Sequence, residues 1–202
     1  MKQKTRYSAA LIAVSAMFAA MLVGCKQALA VLPNIEVVTL LISLCAYVWG
    51  PVVVFPAVNV FIAVDMAIWG VNTWIISYFI HWNVVAVVFW LLSKAHFKHK
   101  GVEITIATLL AAVLTTLFGV VTSVVDTLVG FTGKGFFLDF DDFLVRFAVM
   151  YARGWLVPYP YFGVQILCNI VLFATAFLPL VLLNRKARLK LLSTDEQTEQ
   201  SV

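Results

Sequence analysis

The sequence predicts an all-α integral membrane protein, a bundle of six transmembrane helices with the N- and C-termini both cytoplasmic. Three observations carry this. The chain is 63% hydrophobic and 12% charged, with a mean hydropathy of +1.00, which excludes an ordinary soluble domain. Its apolar residues fall into runs at 8–24, 35–49, 52–69, 77–93, 103–125 and 161–184. Basic residues alternate between them. Threading the runs from an inside N-terminus places Lys2, Lys4, Arg6, Lys94, Lys98, Lys100, Arg185, Lys186, Arg188 and Lys190 in the cytoplasm. Only Lys26, Lys134, Arg146 and Arg153 fall elsewhere. Basic residues flanking a span are held on the cytoplasmic side, so this asymmetry sets the orientation.

The first run follows a basic segment, 1–6, and ends in Leu22-Val23-Gly24-Cys25, which matches the lipobox of a bacterial lipoprotein signal. Cleavage there would remove the first helix. Five further apolar runs make an uncleaved helix the expectation. Ala9, Ala13, Ala16 and Ala20, spaced four, three and four, form one stripe along it. Small residues at that spacing let membrane helices approach closely. The stripe serves either packing within the bundle or docking to a partner.

Residues 35–69 as a single helix would extend about 50 Å, against a hydrocarbon core of about 30 Å. Gly50-Pro51 in the middle predicts a tight turn at the cytoplasmic face, giving the second and third helices. Asn34 is the expected N-cap of the second helix, and Glu36 complements its dipole. Asp65 and Asp126 lie toward the outer ends of the third and fifth helices. Acids in spans are costly, so each is a candidate for binding or for a structural pair.

Trp69, Trp74, Tyr78 and Trp82 gather around the start of the fourth helix, interleaved with Asn72, His81 and Asn83. An aromatic belt accounts for two such residues. Four, with amides among them, read as the wall of a site for a planar ligand. Gln165 and Asn169 stand one helical turn apart on the last helix, able to bond a neighbouring helix or a ligand. The long connection 126–160 contains an amphipathic segment at 136–147, with Asp142 and Arg146 paired four residues apart. Residues 191–202 read as a polar cytoplasmic tail.

Several chemistries find no support in these residues. Gly130-Phe131-Thr132-Gly133-Lys134-Gly135 lacks both the spacing of a Walker A loop and its Ser/Thr after Lys. The acidic cluster Asp139, Asp141, Asp142 lacks the Gly and terminal Glu of a calcium loop. Cys25, Cys45 and Cys168 have no metal or redox spacing, and His96 and His99 have no nearby Cys or carboxylate. No cofactor and no metal are expected. The net charge of +4 is accounted for by membrane flanks, so nucleic acid is not an expected partner. No catalytic constellation is present, and the chain is expected not to be an enzyme.

Three stretches together carry a resemblance. The alanine stripe from Ala9 to Ala20, Leu32-Pro33-Asn34-Ile35-Glu36-Val37-Val38-Thr39-Leu40-Leu41 followed by Gly50-Pro51, and Trp69-Gly70 with Trp74, Ser77-Tyr78 and Trp82 resemble the substrate-binding S components of energy-coupling factor (ECF) transporters. The resemblance covers most of the chain apart from 126–160. It implies a multi-pass protein of the bacterial cytoplasmic membrane that captures a vitamin or similar micronutrient outside. A T component and two ATPase subunits would then drive its import. Asn34, Glu36, Trp69, Asn72, Trp74, Tyr78, Trp82, Gln165 and Asn169 would line the substrate site, and Ala9, Ala13, Ala16 and Ala20 would meet the T component. The alternatives are a solitary secondary transporter or channel, and a small intramembrane enzyme using His81 with Asp65 or Asp126.

Overall fold

The computed structural model describes residues 2–32, 34–129, 140–152 and 162–200. Every regular element among them is helical: α1 (Lys2–Leu29), α2 (Val38–Trp49), α3 (Pro51–Trp69), α4 (Thr73–Leu92), α5 (Lys100–Leu128), α6 (Phe140–Ala152), α7 (Phe162–Leu172) and α8 (Leu178–Gln200), with a π-helical segment Phe173–Phe177 joining the last two. Pro33, the glycine-rich stretch 130–135 with Lys134, Asp139 and Arg153 lie outside the described residues.

Among the described residues, five stretches are long and apolar enough to cross a bilayer: Ala9–Leu29, Pro51–Trp69, Thr73–Leu92, Lys100–Leu128 and Phe162–Leu191. This is a multi-pass membrane bundle. Helix α2 differs from them. Its 12 residues extend about 18 Å, short of the hydrocarbon thickness, and all are buried. A helix apolar on every side has no solvent face to offer and belongs in the interior. α2 packs against α1, α3, α4, α5, α7 and α8, so it forms the axis of the bundle.

The two ends of the bundle are built differently. At one end α2 passes into α3 through Gly50, which adopts φ 79° and ψ −173°, a region essentially restricted to glycine. Pro51 then opens α3 at the first turn, where a missing N–H costs no intrahelical bond. Basic and polar side chains tie this end together. Arg188 donates to the Val48 carbonyl at 2.5 Å, Trp49 Nε1 donates to Asn184 Oδ1 at 3.3 Å, and Tyr47 Oη donates to Glu103 Oε1 at 2.7 Å. Lys100 closes the set with a 3.0 Å ion pair to Glu103. At the other end the helices splay around a cavity.

Several boundaries differ from those the apolar runs suggested. α4 begins at Thr73 rather than near residue 77, because Asn72 caps it: its side-chain Oδ1 accepts from the Ile75 N–H at 3.1 Å. The polar tail expected at 191–202 is helical as far as Gln200, as a continuation of α8. Its Leu, Glu and Gln residues favour a helix, and because it extends an established one the Ser, Thr and Asp among them are spared the cost of nucleation. The π segment lies just before Pro179, whose absent N–H leaves the Thr175 carbonyl without its usual helical donor. The long connection holds α6, which packs on α5 and α7.

Candidate functional site

The chain ends of α1 and α3, the starts of α2, α4 and α7, and the last part of α5 surround a cavity of ≈ 660 Å³. That volume lies within the range of small-molecule sites. Asn34, Glu36, Trp69, Asn72, Trp74, Tyr78, Trp82 and Gln165 all line it, joined by Lys26, Gln27, Asp65, Phe118, Thr122 and Phe162. Asn169 does not line it.

Asn169 instead lies beneath the cavity, 0% exposed. Its amide nitrogen donates to Glu36 Oε1 at 2.8 Å and Thr115 Oγ1 at 2.9 Å, with a longer 3.5 Å approach to Thr39 Oγ1. The turn from Gln165 to Asn169 therefore spans from cavity wall to packed floor. A substrate-lining role for Asn169 is replaced by a structural one, since a polar group this deep in the bundle must find partners on neighbouring helices.

Glu36 is held from three directions. Thr39 donates its backbone N–H to Oε2 at 2.9 Å and its hydroxyl to Oε1 at 2.5 Å, and Asn169 supplies the third donor. Because the Thr39 N–H is one of the orphan donors at the start of α2, Glu36 does the capping that was expected of Asn34. Asn34 instead occupies a turn with φ 61°, the left-handed region that Asn tolerates better than most residues. The N-cap position itself is Val37, so Asn34 lies too early in the chain to cap the helix.

Across the cavity, Asp65 on α3 is 1% exposed and ion-paired to Lys26 on α1. Gln27 donates to its other oxygen at 3.3 Å. The Lys26 ammonium also lies 4.3 Å from the Tyr78 ring centroid and 5.8 Å from that of Phe61, a cation–π arrangement. Asp65 thus forms a structural pair beside the cavity. Asp126 does so elsewhere: it faces Arg146 of α6 at 3.8 Å, fastening α6 to α5. Arg146 thereby reaches across to α5 as well as lying one turn from Asp142.

The aromatic wall is continuous. Tyr78 and Phe118 stack at 5.7 Å and 23°, Trp82 and Phe118 at 6.1 Å and 17°, and Phe162 approaches Phe118 at 6.1 Å. Trp69 and Trp74 stand at the rim, 58% and 61% exposed. His81 is buried against the rings of Trp82 and Phe118, at 4.7 and 4.9 Å. Its recorded contacts are to those rings, whereas Asp65 and Asp126 are engaged by Lys26 and Arg146. Asn83 turns away, donating to the Phe79 carbonyl one turn back at 2.8 Å.

Sequence reasoning missed Lys26, Gln27, Phe118, Thr122 and Phe162 as wall residues. One signal was present for Lys26: it is a basic residue at a helix end on the side where basic residues are scarce. Phe118, Thr122 and Phe162 carried no such mark, since Phe and Thr are ordinary in apolar helices. Ala9, Ala13, Ala16 and Ala20 all lie on the outside of the bundle, while Val14, Ser15, Phe18, Ala19 and Leu22 provide the packed face of α1. Packing within this chain's own bundle is therefore not what the stripe does. Cys25, Cys45 and Cys168 are free thiols, and α1 continues through Cys25. Among the described residues no group of His, Cys, Asp and Glu could hold a metal ion.

A scan against protein-family models finds no match, and no curated protein or solved structure matches the chain.

Proposed function

We propose that this chain is the substrate-capture (S) component of an ECF-type importer in a bacterial cytoplasmic membrane, binding a vitamin-like micronutrient in its cavity from the outside. A T component and two ATPase subunits would complete the transporter. The carrying observation is the cavity itself: ≈ 660 Å³, at the end of the bundle away from the basic cluster, walled by aromatics and floored by a polar network. Basic Arg185, Arg188 and Lys100 at the opposite end would face the cytoplasm. In this reading α2, with the stretch before it, makes the sixth crossing inside the protein, where a short helix needs no lipid-length apolar face. The exposed alanine stripe on α1 supports contact with a helix of another subunit.

Native mass spectrometry of the tagged full-length chain, purified in mild detergent from its own host, tests the assembly. A bound small molecule together with two Walker-motif ATPases and a membrane subunit is the expected outcome. Binding and uptake should then separate. Trp74→Ala should lower solute affinity, whereas Ala13→Leu should spare affinity and reduce uptake. Uptake by the chain alone in liposomes under an ion gradient would instead point to a secondary transporter. Turnover of a substrate that disappears in His81→Ala would point to an enzyme.

A further inference from the structure

The cavity wall contains a charge and polar atoms that the described residues leave unanswered, and these describe an occupant. Of the charged side chains lining it, Lys26 and Asp65 neutralise each other. Glu36 has no such partner among the described residues. The groups bonded to its carboxylate among the described residues are the Thr39 N–H, the Thr39 hydroxyl and the Asn169 amide, all neutral donors. Among the described residues, then, the carboxylate accepts from neutral donors alone and no cation is set against it.

Two unsatisfied polar atoms belong to other residues that line the cavity. Trp82 Nε1 and Thr122 Oγ1 are buried, in residues 5% and 4% exposed, and neither has a hydrogen-bond partner among the described residues. The Thr122 hydroxyl departs from most of its helix, as does that of Thr108, which does not line the cavity. Thr105, Thr115, Thr116, Ser123 and Thr127 on α5 each return their hydroxyl proton to the carbonyl four residues back. Leaving a buried indole N–H and a buried hydroxyl unpaired is costly, and a bound molecule is one way to repay it. Trp82 and Tyr78 each stack on Phe118, at 17° and 23°, and are tilted 39° to one another, so the wall offers aromatic faces beside these atoms.

We infer that the cavity takes a planar, positively charged nitrogen heterocycle: Glu36 would meet its cationic or amino edge, the aromatic rings would lie against its face, and ring acceptors would receive the Trp82 N–H and engage Thr122. This rests on the solute-capture reading and narrows its ligand. Aromatic faces and a fixed carboxylate both favour a cation, through ring quadrupoles and charge respectively. Lys26 already exploits the first of these against Tyr78.

The test uses the full-length chain in detergent. The water-soluble, low-mass material of a cell extract is divided by ion exchange at neutral pH into cationic, neutral and anionic pools. Each pool is added while the melting temperature is followed, since binding to the folded state raises it. The cationic pool alone should produce a rise, and its active component should absorb in the near ultraviolet as a conjugated ring does. Glu36→Gln should weaken binding of that component by roughly ten- to a hundredfold, the size of a lost charged hydrogen bond. Because Glu36 also caps α2, Trp82→Phe and Thr122→Val are measured beside it. Thr122→Val keeps side-chain shape and Trp82→Phe keeps an aromatic ring without the N–H, and each should weaken binding by about fivefold or more. Stabilisation by the anionic or neutral pool overturns the inferred charge while leaving solute capture standing. An aliphatic amine as the active component overturns the planar ring. Unchanged affinity in all three variants overturns the placement. No stabilisation by any pool removes the capture reading, and this inference with it.

Discussion

Asp65 and Asn169 show how much a polar residue's role depends on its neighbours. Asp65 is buried, and its charge is tolerable because Lys26 reaches it from another helix. Removing one partner strands the other, which is worse than removing both. Lys26→Ala should therefore destabilise the protein by about 3 kcal/mol, the low end for a buried pair because the Lys26 side chain is 24% exposed. The double variant Lys26→Ala/Asp65→Ala should be closer to wild type than Lys26→Ala alone. Thermal unfolding in detergent gives the order, and a double variant less stable than the single would mean the pair is not the principal partner of either residue. For Asn169→Leu the loss is a floor that ties α7 to α2 and α5. A cost of roughly 1–3 kcal/mol is expected, from leaving the Glu36 and Thr115 acceptors short of a donor. The same unfolding measurement checks it, and an unchanged midpoint would show the network to be dispensable.

Among the elements, the joint between α2 and α3 is the most constrained. Gly50 has φ 79° with nothing within 4 Å of where a Cβ would stand, so substitution there is a question of backbone strain alone. Gly50→Ala should cost about 1–3 kcal/mol. Gly24 offers the control: it is helical, with equally open surroundings, and Gly24→Ala should gain roughly 0.5–1 kcal/mol in helix propensity. Comparable midpoints for the two variants would mean that Gly50 can relax out of its left-handed conformation. Asn72 is a smaller case of the same kind. It caps α4 while lining the cavity, so Asn72→Ala should cost about 1 kcal/mol of stability before any effect on ligand is counted. A fall in affinity larger than this would be needed to assign Asn72 to the solute itself.

At the scale of the whole molecule, the bundle has a basic end and a cavity end, and the proposed function requires the cavity to face outward. Val71, between α3 and α4, is 80% exposed near the cavity, and Ser193 is exposed on α8 beyond the basic cluster. With Cys25, Cys45 and Cys168 replaced, Val71→Cys should react on intact cells with a membrane-impermeant maleimide, and Ser193→Cys should react only after lysis. The reverse pattern would turn the site to the cytoplasm and leave an uptake role without its binding face.

The membrane bundle was readable from composition and from the length of the apolar runs, because a bilayer imposes one simple demand on any chain that crosses it. Gly50 and the aromatics from Trp69 to Trp82 were legible for a related reason: turns and interface rings are local chemistry written in adjacent residues, whereas the caps were not, since the sequence offered Asn34 for α2 and started α4 beyond Asn72. Other features needed helices distant in the chain to be brought side by side. Lys26 with Asp65 and Asn169 with Glu36 join residues 39 and 133 positions apart, and no spacing rule reaches that far. The same holds for the depth of Asn169 beneath the wall that Gln165 lines, for the capping by Glu36 in place of Asn34, and for the outward face of the alanine stripe. An apolar helix in a membrane has no polar face to announce which side turns inward, so its rotation follows from packing against its neighbours. That rotation placed Phe118, Thr122 and Phe162 in the wall and set Glu36 among neutral donors of the described residues.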